Sequence, residues 1–232
     1  MQAAKRHLPP APASRKRLSA IYGNRLFALS PWYTVSPSAA DDTCSAPAGI
    51  PHRLYAVFLT TGSVPVLPRS IPGIDRPNVY VAEDVLTERV RFSGRKIAVI
   101  GGGLTGMETA EYLQTGGNEV FEVEMVDAMG AVGFPLMIMD ATSSLAKLGV
   151  RTMPGHKLLE IRENSILLED NAGYRIEEAC DAVIVALGAR AQNTLEEALK
   201  PDMKVFTAGD AKRGGRRIPD AIHEAFQVAL LL

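Results

Sequence analysis

The sequence has little cysteine, little net charge and no long apolar run. Two of its 232 residues are cysteines, Cys44 and Cys180, and they lie far apart, which argues against a disulfide framework and against a metal or iron–sulfur centre. The formal net charge is -1 at pH 7, so no overall field favours nucleic acid or an anionic membrane. No apolar run reaches the roughly 18 residues of a spanning helix. These absences predict a cytoplasmic protein that binds neither nucleic acid nor membrane.

The first 40 residues contain no acidic side chain, although they carry several lysines, arginines and prolines. Neither helical nor strand periodicity persists there. A basic, acid-free start can be a transit peptide or a disordered arm. We interpret residues 1–50 as a poorly ordered segment and keep targeting as the alternative.

The clearest folding unit begins near Arg95, in the letters RKIAVIGGGLTGMETAEYLQTGGNEVFEVEMVD. Lys96–Ile100 is rich in β-branched residues, as expected of a strand. Apolar residues then recur at helical spacing until Gly116 and Gly117, which are typical helix stops. Val120–Glu124 follows as a second strand. This strand–turn–helix–strand order predicts an α/β fold with a Rossmann-like parallel sheet.

The chain beyond this unit alternates between helix and short strands. A second helix is predicted over about Leu136–Leu148, with Gly149 at its end. Turn signals at 164–165 and 171–173 separate short apolar runs, which indicates a small antiparallel meander. Asp181–Leu187 is predicted as a buried strand that ends at Gly188. The letters KVFTAGD predict another buried strand, and the last residues an amphipathic helix with Pro219 in its first turn.

The glycine loop between the first strand and helix matches GxGxxG, and its context is the one that a dinucleotide site needs. Gly101 permits the sharp turn, Gly103 lets the backbone approach a diphosphate, and Gly106 lets the helix pack closely on the strand. Backbone N–H groups at the helix start and its positive dipole end would face the phosphates. The predicted cofactor-binding loop is Gly101, Gly102, Gly103, Leu104, Thr105 and Gly106.

Glu124 ends the second strand, where an acid that binds the adenosine ribose belongs. A carboxylate there accepts hydrogen bonds from the 2′- and 3′-hydroxyl groups and repels a 2′-phosphate. Glu124 has no neighbouring arginine, so the sequence favours NAD(H) over NADP(H). Asp127 is the competing acid, and we expect it in the loop that follows.

Four stretches in order resemble the C-terminal half of NADH:flavin oxidoreductases of the enoate reductase and 2,4-dienoyl-CoA reductase type, which are similar to pyridine nucleotide–disulfide oxidoreductases. These stretches are TTGSVPVLPRSIPGIDRPNVYVAEDVL, KIAVIGGGLTGMETAEYL, VIVALGARAQN and VFTAGDAKRGGRRIPDAIHEAF. The resemblance implies an NAD(H)-binding domain over residues 94–189, inserted in an FAD-type domain whose parts are residues 51–93 and 190–232.

The resemblance also implies roles for individual residues. Thr61 and Gly62 correspond to the crossover out of the FAD domain, and Gly188 to the return from the NAD(H) domain. Gly209 and Asp210 correspond to a flavin-contacting motif whose carboxylate binds the ribityl chain.

Two helical positions are assigned in the same way. The helix start near Ala221 would direct backbone N–H groups at the flavin ring. Glu108 matches a glutamate that lies near the nicotinamide in the wider family, and a solvated helix acid is the alternative. No catalytic residue is assigned, and His223 is most simply a structural helix histidine.

The implied activity is that of an electron-input module that passes hydride from NADH to FAD. The family also has a flavin barrel with an iron–sulfur cluster and a first GxGxxG unit for FAD, and residues 1–50 match neither. The FAD site is therefore expected to be incomplete. The alternatives are a dinucleotide-binding module without turnover, and a subunit that needs a partner chain or another copy of itself to complete the FAD site.

Overall fold

The computed structural model of the protein describes residues 43–45, 51–53, 56–131, 133–201, 204–215 and 217–230. Of the segment 1–50, only 43–45 are among them. The described strands are β1 (Thr43–Ser45), β2 (Pro51–Arg53), β3 (Ala56–Leu59), β4 (Ser63–Pro65), β5 (Val79–Val81), β6 (Lys96–Ile100), β7 (Glu119–Val123), β8 (Arg151–Met153), β9 (His156–Ile161), β10 (Ser165–Asp170), β11 (Arg175–Ala179), β12 (Ala182–Val185), β13 (Ala189–Ala191) and β14 (Lys204–Thr207).

The described helices are α1 (Ala82–Leu86), α2 (Leu104–Thr115), α3 (Pro135–Leu148), α4 (Thr194–Leu199) and α5 (Ile218–Ala229). The chain divides into two compact units. The central unit is Val64–Arg190. The split unit consists of the residues on either side of it in sequence, up to Ser63 and from Ala191 onward.

A five-stranded sheet in the order β5-β12-β6-β7-β8 forms the middle of the central unit. Each neighbouring pair is parallel. The inner strands β6, β7 and β12 are almost wholly buried, because a parallel sheet is covered on both faces. The predicted Rossmann-like α/β fold is confirmed.

The two faces of this sheet are covered by different structures. One face packs on the helices, where Met107, Ala110 and Leu113 of α2 meet Val120 of β7. The other face carries Phe121 and packs on apolar residues of the antiparallel β9-β10-β11 meander. Successive β7 side chains therefore point alternately at helix and at meander.

The described part of the split unit contains a parallel pair, β3 with β14. Phe58 and Phe206 stack across this pair with ring centroids 5.3 Å apart. An antiparallel pair of β1 with β2 precedes it. The terminal helix α5 belongs to the same unit and has no buried residue.

Several elements differ from the sequence-based expectations. The compact central unit begins at Val64, because β5 pairs with β12 and so joins the same sheet, and the boundary of an NAD(H)-binding domain near Gly94 stays a prediction. The strand β14 was expected to be buried, but its residues are half-buried or exposed, since among the described residues it pairs on one side only. The short helix α4 was not expected.

Candidate functional site

The glycine loop leaves the carboxyl end of β6, as predicted, and Gly101 makes the turn with φ +113°. A Cβ on Gly101 would lie 2.5 Å from the carbonyl oxygen of Ala186, which belongs to the backbone. Both the backbone angle and the close contact therefore require glycine at this position. The Gly101 N–H donates to the Val123 carbonyl oxygen at 2.8 Å, which fixes the turn against β7.

Gly106 brings the helix α2 onto the loop. A Cβ there would lie 1.8 Å from the Gly101 carbonyl oxygen, so any side chain would force the helix away from the strand. This is the close helix–strand packing that the sequence predicted for the third glycine.

Gly103 differs from Gly101 and Gly106, because a Cβ on it would meet no atom within 4 Å. It is the N-cap of α2, and the first helical bond runs from the Met107 N–H to its carbonyl oxygen at 3.0 Å. The N–H groups of Leu104, Thr105 and Gly106 thus have no partner within the helix. The first turn of α2 contains no acidic residue, so no carboxylate of that turn competes for an anion there.

Glu124 lies directly after β7, beside the loop. Its Oε2 accepts the Gly102 N–H at 2.6 Å and its Oε1 accepts the Val126 N–H at 3.0 Å. Backbone bonds with Met153 and His156 hold the residue on both sides. The carboxylate is half-exposed, and each oxygen retains a lone pair that can accept from a hydroxyl group.

Gly102 has a role that the sequence reasoning missed. Its N–H is bound to Glu124, and its carbonyl oxygen accepts the Gly130 N–H at 2.7 Å. A Cβ on it would lie 2.8 Å from the Glu124 Cβ and 2.7 Å from Met129 Cε. Gly102 therefore joins the predicted phosphate loop to the predicted ribose acid.

The remaining predicted residues of the central unit lie as follows. Glu108 is an exposed acid in the second turn of α2. Gly188 follows β12 with φ +86°, and its carbonyl oxygen accepts the Val66 N–H at 3.0 Å. Asp127 lies in the loop after β7, as expected, and accepts a hydrogen bond from the Asn171 side chain.

The split unit contains Gly209, Asp210 and Ala221, which the resemblance assigned to flavin, and the crossover residues Thr61 and Gly62. Ser63 Oγ donates to Asp210 Oδ2 at 3.2 Å. Gly62 accepts the Gln192 N–H at 3.1 Å, and the Thr61 hydroxyl donates to the Gln192 carbonyl oxygen.

Two details of this region differ from the expectation. The helix α5 begins at Ile218, and the Ala221 N–H already donates to the Arg217 carbonyl oxygen at 3.1 Å. The N–H groups without an intrahelical partner therefore belong to the residues just before Ala221. Gly209 has φ +65° and donates its N–H to Glu224 Oε2 at 2.9 Å, a bond that no sequence pattern indicated.

Glu122 is a further residue that the sequence reasoning missed. It lies in the middle of β7 and is 0% exposed, and neither carboxyl oxygen has a hydrogen-bond partner. Burial raises the pKa of this carboxyl to about 8, and the nearby charge of Glu124 adds to the rise. The only available signal was an acid flanked by Phe121 and Val123 within the strand.

Neither metal ligands nor a membrane helix were found in the part of the chain that the structure describes. No group of three His, Cys, Asp or Glu side chains there could hold a metal ion. Cys180 is buried, and burial raises the pKa of its thiol to about 11. None of the described helices is both long enough and apolar enough to cross a bilayer.

The sequence profile of the "Pyridine nucleotide-disulphide oxidoreductase" family matches residues 51–227. The chain belongs to this family. Pyridine nucleotide-disulphide oxidoreductases bind FAD and a nicotinamide dinucleotide, and the family resemblance inferred from the sequence is confirmed.

Named relatives and a solved structure agree with this assignment. The chain is 35% identical over 178 residues to an NADH oxidase of Thermoanaerobacter brockii, covering 75% of this chain and 27% of that protein. It is 35% identical over 180 residues to a cinnamate reductase of Clostridium sporogenes, covering 75% and 26%. A 2-naphthoyl-CoA reductase structure aligns with a TM-score of 0.69 at 28% identity, covering 78% of this chain and 27% of that one.

The chain thus spans about a quarter of the length of these three proteins.

Proposed function

We propose that the protein binds NAD(H) at the loop Gly101–Gly106 and belongs to an electron-input module that passes hydride from NADH to FAD. The observation that carries the proposal is the open backbone at Gly103. At this point the amino end of α2 faces open space without a Cβ, and Glu124 is held beside the same loop.

The residues present fit a dinucleotide in charge and shape. The N–H groups of the first turn of α2 would receive the diphosphate, because they lack partners within the helix. Glu124 would accept hydrogen bonds from the adenosine ribose. Its negative charge would oppose a 2′-phosphate, which supports NADH as the coenzyme over NADPH.

The described residues fit part of FAD. Asp210 and the start of α5 would hold the riboflavin end of FAD. The Asp210 carboxylate would accept hydrogen bonds from it, and backbone N–H groups at the start of α5 would donate hydrogen bonds to it. The bound flavin would supply the hydride acceptor, and the protein would hold it in position and keep water away. Among the described residues, a glycine-rich strand–turn–helix is present at β6–α2 and has no counterpart in the split unit.

The test is a titration of the protein with NADH and NADPH by calorimetry, with flavin content measured on the same sample. The variant Gly103→Val is expected to fold, since nothing lies within 4 Å of its Cβ and its φ is -77°. It should weaken NADH binding at least tenfold by blocking the diphosphate, a loss of about 1.4 kcal/mol.

The control is Gly116→Ala, at the opposite end of α2, where φ is -72°. This variant should bind NADH as the parent protein does. Absence of NADH binding by the folded parent protein, or equal binding by Gly103→Val, would refute the proposed site.

A second candidate is a subunit whose flavin half is completed by further protein. The observation that favours it is an uncovered apolar stripe on α5, where Ile218, Ile222, Phe226 and Leu230 are each at least 60% exposed. In size-exclusion chromatography, a protein that carries bound flavin and elutes at its monomer mass would argue against this candidate. A colourless protein that gains flavin when a partner is added would support it.

A further inference from the structure

Glu122 is a carboxyl group that the proposed binding of the coenzyme does not use. It shares the helix-facing side of β7 with Val120, so its side chain enters the packed layer between sheet and helices. Complete burial without a hydrogen-bond partner strongly favours the neutral form of a carboxyl group. Burial, and secondly the charge of Glu124, raise its pKa to about 8.

The Glu122 carboxyl lies directly beneath the phosphate loop. A Cβ on Gly106 would be 2.8 Å from Glu122 Oε1 and 1.8 Å from the Gly101 carbonyl oxygen. The first and third glycines of the loop therefore share one small space with this carboxyl. A charge that appears on Glu122 would act on the loop at contact distance.

The surrounding charges offer no compensation when Glu122 ionises. The ionisable side chains on the strands and helices of this layer are Glu83 and Asp84 on α1, Lys96 on β6, Glu108, Glu111 and Tyr112 on α2, Glu119 on β7, Asp140 and Lys147 on α3, and Arg151 on β8, and Glu124 follows β7. All of these are at least partly exposed. Lys96 binds Glu119 at 3.4 Å and Arg151 binds Glu178 at 2.7 Å, so these two cations already have acidic partners. Lys147 is exposed in the last turn of α3.

We propose that Glu122 is a protonation-dependent positioning residue: the loop binds the coenzyme diphosphate when Glu122 carries a proton, and binding weakens when Glu122 ionises. This inference rests on the proposed NAD(H) site. A carboxylate beneath the first turn of α2 places negative charge at the positive end of the helix dipole. The two phosphates and Glu124 bring further negative charge to the same place. Affinity for the coenzyme should therefore fall in mildly alkaline solution.

The test is the dissociation constant of NADH for the full chain, measured by fluorescence between pH 6.5 and 9.5. In the parent protein the constant should rise about tenfold across this range, the change produced by one pKa unit of coupling. In Glu122→Gln, which cannot ionise, it should change less than twofold. Glu111→Gln is the control, since it makes the same change at a partly exposed position of α2 and should keep the parent profile. Glu122→Met provides a second non-ionising variant if Glu122→Gln does not fold.

Proton uptake gives an independent readout of the same coupling. Calorimetry of NADH binding at pH 8.5 in two buffers of different ionisation enthalpy should show that the parent protein takes up a fraction of a proton and that Glu122→Gln takes up none. A pH-independent dissociation constant in the parent protein, or the same slope in Glu122→Gln, would overturn the role of Glu122 alone. Absence of NADH binding at pH 6.5 would instead overturn the proposed site itself.

Discussion

At the scale of single residues, the site combines acids with opposite surroundings. Glu124 is half-exposed and accepts two backbone N–H groups. Glu122, two residues earlier, faces the packed helices with no partner. Strand alternation sends both side chains to the same side of the sheet, where Glu124 is partly exposed and Glu122 is fully buried.

Stability should depend on pH through Glu122. The unfolded carboxyl ionises near its ordinary pKa, whereas the folded one keeps its proton until about pH 8. The unfolded state therefore releases a proton that the folded state retains, and the free energy of unfolding falls as pH rises between these two values. Relative to Glu122→Gln, the parent protein should lose about 3 kcal/mol between pH 5 and pH 7.5. Urea unfolding of both proteins at several pH values measures this difference. The same dependence of the unfolding free energy on pH in both proteins would contradict it.

Coenzyme preference should depend on the charge of Glu124. The variant Glu124→Gln keeps a carbonyl oxygen that can accept the Gly102 N–H, but it no longer repels a 2′-phosphate. We expect the ratio of NADPH to NADH dissociation constants to fall by about tenfold, or about 1.4 kcal/mol. Titration of both coenzymes with parent and variant measures the ratio. An unchanged ratio would show that Glu124 does not lie at the ribose, and Asp127→Asn would be the next variant to test.

At the scale of secondary structure, the sequence predicted the elements whose signals are local. The β6–loop–α2 segment follows from β-branched residues, spaced glycines and helical periodicity. The glycine stop of α3 was also predicted, since Gly149 adopts φ +75°. The six-residue helix α4 was missed because it is too short to show a period. The burial of Glu122 could not be predicted, because periodicity does not reveal which layer covers a strand position.

The helix α5 shows a similar limit. Its amphipathic pattern was read from the sequence, but the pattern does not say what covers the apolar side. In the structure that side is exposed along four positions of helical spacing, and an exposed apolar stripe favours association. Phe226→Ser should therefore reduce self-association of the chain without changing NADH affinity. Light scattering over a concentration series measures this effect, and Lys147→Gln on α3 serves as an exposed helical control.

At the scale of the whole molecule, the chain divides into two compact units, and the two described core clusters lie in the central one. The coenzyme site proposed here lies wholly within the central unit. Because a ligand stabilises the structure that binds it, NADH at about 100 times its dissociation constant should add about 2.7 kcal/mol to the unfolding free energy of that unit. Scanning calorimetry is expected to show two unfolding transitions. NADH should raise the midpoint temperature of one of them. A single transition that shifts as a whole would contradict this expectation.

The strands β4 and β13, through which the chain passes into and out of the central unit, are hydrogen-bonded neighbours. A segment whose ends are adjacent can be exchanged for another of different length at little cost in loop-closure entropy. Related proteins could therefore acquire a new nucleotide preference by exchange of the segment Val64–Arg190. The residues on either side of it would keep their own ligand.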